Sequence, residues 1–110
     1  MLKIDIEVAR GILFLRFDGN INNDYNVFEK EINYLLYNQG IKYYVLDFEN
    51  MYIEDSTISK IKNKLVEIFL RCGEVVLCGI DNDTKLKIGE TKDKLYYVNE
   101  EREAFNYLWM

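Results

Sequence analysis

Leu2, Ile4, Ile6 and Val8 alternate with polar residues, and this period of two predicts a strand with all four side chains on one inward face. Ala9-Arg10-Gly11 turns tightly into Ile12-Leu13-Phe14-Leu15-Arg16-Phe17, which gives a second, antiparallel strand. Asp18-Gly19-Asn20 ends that strand with turn chemistry. Tyr25, Phe28, Ile32, Leu35 and Leu36 then recur at steps of 3, 4, 3 and 1, so the period has changed to that of an amphipathic helix over about 23–38. Gln39-Gly40 stops it, glycine being suited to the left-handed residue after a last turn.

Tyr43 to Phe48 is almost continuously apolar, as a strand covered on both faces must be. A second helix is predicted from Ser56 to Cys72, stopped by Gly73. On a wheel its Ile58, Ile61, Leu65, Ile68, Phe69 and Cys72 form an apolar arc, with Lys60, Lys64, Glu67 and Arg71 opposite. Val75-Val76-Leu77-Cys78 reads as another central strand, Asp81-Asn82-Asp83 as a turn and helix start, and Thr84 to Glu90 as a short helix. Leu95-Tyr96-Tyr97-Val98 makes a last strand. Residues 99–108 close the chain as a helix capped near Asn99 or Glu100, with Ala104, Phe105, Leu108 and Trp109 inward. The order ββαβαβαβα predicts an α/β fold in one domain, 1–110. Strands separated by helices pair in parallel, so about five strands form a mixed sheet with about four helices packed on it.

Composition narrows the chemistry. A net charge of −5 argues against nucleic acid as partner, since phosphate backbones are bound by clustered Lys and Arg; a basic protein surface suits the chain better. No apolar run is long enough for a membrane span and no signal peptide is evident, so the expected location is the cytoplasm. With no His and two cysteines outside any Cys-x-x-Cys spacing, zinc sites and His-based triads are excluded, and both cysteines read as small buried hydrophobes. Asp81-Asn82-Asp83 lacks the glycine and the downstream Glu of a calcium loop, and no cofactor or metal is expected. Tyr37, Tyr52 and Trp109 are read as core edge rather than partner contact.

The richest stretch is Tyr52-Ile53-Glu54-Asp55-Ser56-Thr57, where a buried strand ends in acids and hydroxyls at the head of the second helix. The wheel turns Ser56 to solvent and Thr57 nearer the apolar boundary. A phosphate on Ser56 would meet the positive end of the helix, with Glu54 and Asp55 beside it, and could act as a repulsive switch against a docked partner. A plainer reading makes Asp55 or Ser56 simply the N-cap, and the two readings are compatible.

The chain resembles the STAS domain family, and within it the single-domain bacterial anti-sigma factor antagonists. The matching residues are Phe17-Asp18-Gly19-Asn20-Ile21, Val45-Leu46-Asp47-Phe48, Ile53-Glu54-Asp55-Ser56-Thr57, Gly73-Glu74-Val75-Val76-Leu77-Cys78 and Glu103-Ala104-Phe105. The resemblance implies a non-enzymatic regulatory module that binds a serine kinase of the anti-sigma class and is switched by phosphorylation at Ser56, with Thr57 a lesser acceptor. The implied docking face comprises Asn20, Asn22, Asp24, Glu54, Asp55, Ser56, Thr57 and Lys60. Ile58-Ser59 stands where the family usually has Gly-Leu, which puts a β-branched side chain where a kinase approaches. A register counted back from Gly73-Glu74 instead places Asp55 at the hydroxyl's position as a fixed charge. Two other classes stand beside this one. The domain could be an unphosphorylated scaffold or accessory subunit of a transporter or signalling complex. It could also be an enzyme or a phosphoaspartate receiver on Asp47 or Asp55; a receiver would need an acidic pair after its first strand and a Lys after a late one, and Ile4-Asp5-Ile6 gives only one acid.

Overall fold

The computed structural model describes residues 2–71, 73–89 and 95–108. Five strands form one sheet in the order β1-β2-β3-β4-β5: Lys3–Ala9, Ile12–Asn20, Tyr43–Tyr52, Glu74–Cys78 and Leu95–Val98. β1 and β2 are an antiparallel hairpin, and every later pair is parallel because a helix separates the strands. The helices are α1 (Tyr25–Asn33), α2 (Asp55–Leu70), α3 (Asn82–Ile88) and α4 (Phe105–Leu108). A π-helical turn, Tyr34–Asn38, continues α1 over the buried neighbours Leu35 and Leu36, and a 3₁₀ turn, Glu101–Ala104, leads into α4. This is the mixed five-stranded sheet with four helices that the sequence periods predict. Gly40 has φ +64°, the left-handed stop expected after the first helix.

The sheet is buried on both faces. One face carries Leu13, Leu15, Phe17, Tyr44, Leu46, Phe48, Val75 and Leu77 against Phe28 and Ile32 of α1, Ile61, Leu65 and Ile68 of α2, and Ile88 of α3. The other carries Ile12, Phe14, Val45, Val76 and Cys78 under Ala104 and Leu108 of the C-terminal segment. Alternate residues of β3 thus go to opposite cores, which accounts for its unbroken apolar run. Burial pushes the Cys78 thiol up to about 12, so it behaves as a buried hydrophobe. Cys72, Glu90 and Trp109 lie outside the described residues.

Three expectations need correcting. Leu2 is buried just ahead of β1, while Ile6 and Val8 are 40 % and 63 % exposed, because β1 is the sheet's edge and the helices cover its middle. Lys64 is 4 % exposed rather than on the solvent face. Its ammonium reaches Asn33 at 2.8 Å and Glu29 at 3.6 Å on α1 and Glu67 at 3.1 Å on its own helix, and these polar partners let a lysine be buried. The N-cap of α2 is Glu54, not Asp55 or Ser56. Tyr37 and Tyr52 project outward, Tyr52 being 61 % exposed.

β3 runs four residues past Phe48 by way of an irregularity in its pairing with β2, where Arg16 faces Asp47 but Asp18 faces Asn50. Gly79 makes room for it. A Cβ on Gly79 would lie 2.7 Å from the Glu49 Cβ, and its φ is +70°. The bulge carries β3 out to the edge where α2 begins.

Candidate functional site

The head of α2 is held from a distance. Asn22, in the loop between β2 and α1, places its Oδ1 where it accepts the Glu54 amide at 2.8 Å and the Thr57 hydroxyl at 2.7 Å. Asn22 is fixed in turn by Asn20, whose Oδ1 accepts the Asn22 amide at 2.8 Å and its side-chain amide at 2.7 Å. The Glu54 side chain makes no capping bond, so a residue remote in sequence does the work of a cap.

This anchoring sorts the three groups at the helix start. Thr57 turns inward, 5 % exposed, with its hydroxyl committed to Asn22. Asp55 turns toward α3, where the Lys87 ammonium donates to its carboxylate at 2.6 Å. Ser56 turns outward, and among the described residues none bonds its hydroxyl. Ile58 points into the core, so the β-branched side chain expected in a partner's path is buried instead. Lys60, one turn on, lies 5.5 Å from the Tyr25 ring centroid, and the Tyr25 hydroxyl donates to the Lys60 carbonyl at 3.0 Å.

Of the residues predicted at the site, Asn20, Asn22, Glu54, Asp55, Ser56 and Thr57 come together, and Lys60 is a turn away on the same helix. Asp24 takes on a fold-building bond, its carboxylate accepting the Leu2 amide at 2.7 Å. Sequence reasoning missed Lys87 and the inward role of Asn22, since both act across 32 residues or more. Beside α2, Phe48, Met51, Tyr52, Ile53, Gly79 and Asp81 line a cleft of about 130 Å³. Thr84 donates its backbone amide to Asp81 at 2.7 Å, which caps α3 and holds the Asp81 carboxyl below its ordinary range.

A second polar cluster lies on the sheet's other face. Arg16 forks onto Glu101, with its Nε and Nη2 each 2.8 Å from a carboxylate oxygen, and reaches Glu7 at 2.9 Å and Asp5 at 3.2 Å. Asp47, opposite Arg16 in the β2–β3 register, accepts the Glu49 amide at 3.0 Å. Burial, then its bond with Glu101, raises the Asp47 carboxyl to about 6, while Arg16 holds Glu101 below its ordinary range. Asp47 is therefore tied into the joint between the sheet and the C-terminal segment, away from the head of α2. Among the described residues no group of His, Cys, Asp and Glu is arranged to hold a metal ion. No helix there is long and apolar enough to cross a membrane.

A hairpin, three parallel crossovers and a short C-terminal helix on the second face recur in solved structures. The anti-sigma factor antagonist SpoIIAA in its unphosphorylated form matches with a TM-score of 0.72, covering 94 % of this chain and 96 % of its own at 16 % identity. The chain has the SpoIIAA-like fold. A variant of RsbS from Moorella thermoacetica, with a serine replaced by glutamate, matches at 0.71 over 94 % of this chain and 92 % of its own, at 14 % identity. An uncharacterised protein from Shewanella loihica with a SpoIIAA-like fold matches at 0.64 over 97 % and 93 %, at 17 % identity. No protein-family model and no curated protein matches the sequence. The SpoIIAA-like fold is the one that the STAS resemblance implied.

Proposed function

We propose that this chain is a non-enzymatic regulatory domain that docks on an anti-sigma or serine-kinase-like protein through the head of α2 and is switched off by phosphorylation of Ser56. The observation that carries the reading is the sorting at that head. Ser56 alone of the three candidate groups presents an uncommitted side chain to solvent, in the first turn of a 16-residue helix. Unpaired amides and the positive end of the helix favour a phosphate there. Thr57 is the poorer acceptor because its hydroxyl is buried and bonded. Asp55 is the poorer fixed charge because Lys87 neutralises it. The docking face then consists of Asn20, Tyr52, Glu54, Asp55, Ser56 and Lys60, with Asn22, Asp24 and Thr57 as its supports.

The transferred group would be the γ-phosphoryl of ATP: the Ser56 oxygen gains the phosphorus, ADP leaves, and the hydroxyl proton passes to the kinase. The test combines affinity capture from the source cell with phosphosite mass spectrometry, using the unaltered chain, Ser56→Ala and Ser56→Asp. The expected result is phosphate on Ser56 alone, with partner capture kept by Ser56→Ala and lost by Ser56→Asp. Equal capture by all three proteins with no phosphate would instead make the domain a scaffold or accessory subunit.

A further inference from the structure

Sheet edges in native proteins are blunted by proline, by bulges, by charges extended over the edge or by a covering element. Lys3 is the only lysine on β1, at its first position, and among the described residues the strand carries no bulge and no covering element. It pairs only with β2, in an unbroken register from Lys3↔Asp18 to Ala9↔Ile12, and the chain contains no proline. Its acids do not stand over the edge, because Asp5 and Glu7 are both drawn back to Arg16 of β2, at 3.2 and 2.9 Å. On the strand's other face Ile6 and Val8 are exposed beyond the cover of the helices.

We propose that β1 is a docking edge for a second copy of this chain, the two strands pairing antiparallel about a two-fold axis at Asp5. That axis is chosen by the strand's own sequence. It sets Lys3 opposite Glu7 at both ends on one face, and Leu2 opposite Val8 and Ile4 opposite Ile6, twice each, on the other. The bare half of each strand lies beside the helix-covered half of its mate. The single like-charge meeting, Asp5 with its symmetry equivalent, has an Arg16 guanidinium 3.2 Å from each carboxylate. An axis moved to Ile6 would bring Asp5 against Glu7 twice and leave Lys3 opposite Ala9. One moved to Ile4 keeps two opposite-charge pairs, Lys3 with Asp5, but sets three apolar pairs across the seam in place of four, Leu2 with Ile6 twice and Ile4 with its equivalent. The contact joins two five-stranded sheets into one of ten strands.

A strand-on-strand contact is small, so the dimer is expected to be weak, with a dissociation constant between about 1 μM and 1 mM. Sedimentation of the intact chain across that range reads it, with circular dichroism as the check on folding. Lys3→Glu alone and Glu7→Lys alone should each weaken association by about tenfold, because two attractive cross-strand pairs become repulsive. The double exchange should restore it. Val8→Lys, at a position 63 % exposed and so harmless to the fold, should abolish it. A chain monomeric up to about 1 mM, a dimer indifferent to Val8→Lys, or a double exchange that fails to recover would each overturn the proposal.

Discussion

Asn22→Ala tests whether a loop residue, rather than a local cap, sets the head of α2. Asn22 Oδ1 accepts two hydrogen bonds, from the Glu54 amide and the Thr57 hydroxyl. A typical bond contributes about 1 kcal/mol, and a buried donor left unpaired costs about 1–3 kcal/mol. Glu54 is exposed, so water replaces the lost acceptor and the amide costs only about 0.5 kcal/mol. Thr57 is 5 % exposed, and its stranded hydroxyl adds about 1.5 kcal/mol. The lost Asn20–Asn22 bonds add about 0.5 kcal/mol, for a total of about 2–3 kcal/mol. Thermal unfolding should therefore show a midpoint lowered by about 8–15 °C, and urea unfolding a loss of about 2–3 kcal/mol. Thr57→Val removes the hydroxyl without stranding it and should cost about 1 kcal/mol or less. In its background Asn22→Ala should cost about 1 kcal/mol less than in the unaltered chain, a coupling that a double-mutant cycle reads directly. Amide exchange at Glu54 should quicken in Asn22→Ala. A loss under about 0.5 kcal/mol, or a cycle with no coupling, would refute the reasoning and return the helix start to local residues.

Gly79→Ala should destabilise by about 2–4 kcal/mol, since the new Cβ meets the Glu49 backbone and must also adopt a positive φ; an unchanged melt would mean that the bulge at Glu49 yields. Asp47 holds its proton to about pH 6 in the folded chain but loses it near 4 when unfolded, so its contribution to stability falls as pH rises through that window. Comparing melts of the unaltered chain and Asp47→Asn should thus show the variant gaining relative stability between about pH 4 and 6, and a constant difference would contradict the assignment. Lys64→Ala empties a buried site and strands Asn33, and should cost about 1–3 kcal/mol by urea unfolding, less than the ~3–5 kcal/mol of a fully buried pair because Glu67 and Glu29 are 36 % and 44 % exposed.

What the sequence disclosed and what it hid divide along a physical line. Period tells which residues share a face, and it placed every strand and helix of the sheet layer. It does not tell whether anything covers that face, so Ile6 and Val8 read as core until the hairpin proved to be the edge. A wheel describes one helix in isolation, and Lys64 falls on its polar side. Besides Glu67 of the same helix, the groups that hold its ammonium, Asn33 and Glu29, belong to α1. The wheel did hold for Ser56, which is exposed in the first turn of α2.

The head of α2 shows why local rules locate a site better than they assign its parts. Asp, Ser and Thr in succession satisfy every local expectation for a helix start, and each could be cap, acceptor or fixed charge. The choice among them is made by partners far away in the chain: Asn22 draws Thr57 inward, and Lys87 draws Asp55 sideways. What remains facing outward is a hydroxyl, flanked by one exposed acid and by another already paired. Counting residues from either neighbouring strand gives two registers and two candidate positions, but neither count includes these bonds. Those bonds single out Ser56, and Lys87→Ala tests one of them. Releasing Asp55 should leave an unpaired charge beside Ser56 and weaken partner capture without touching the hydroxyl itself. If capture is unchanged in Lys87→Ala and lost in Ser56→Asp, charge at the helix start matters only on the serine.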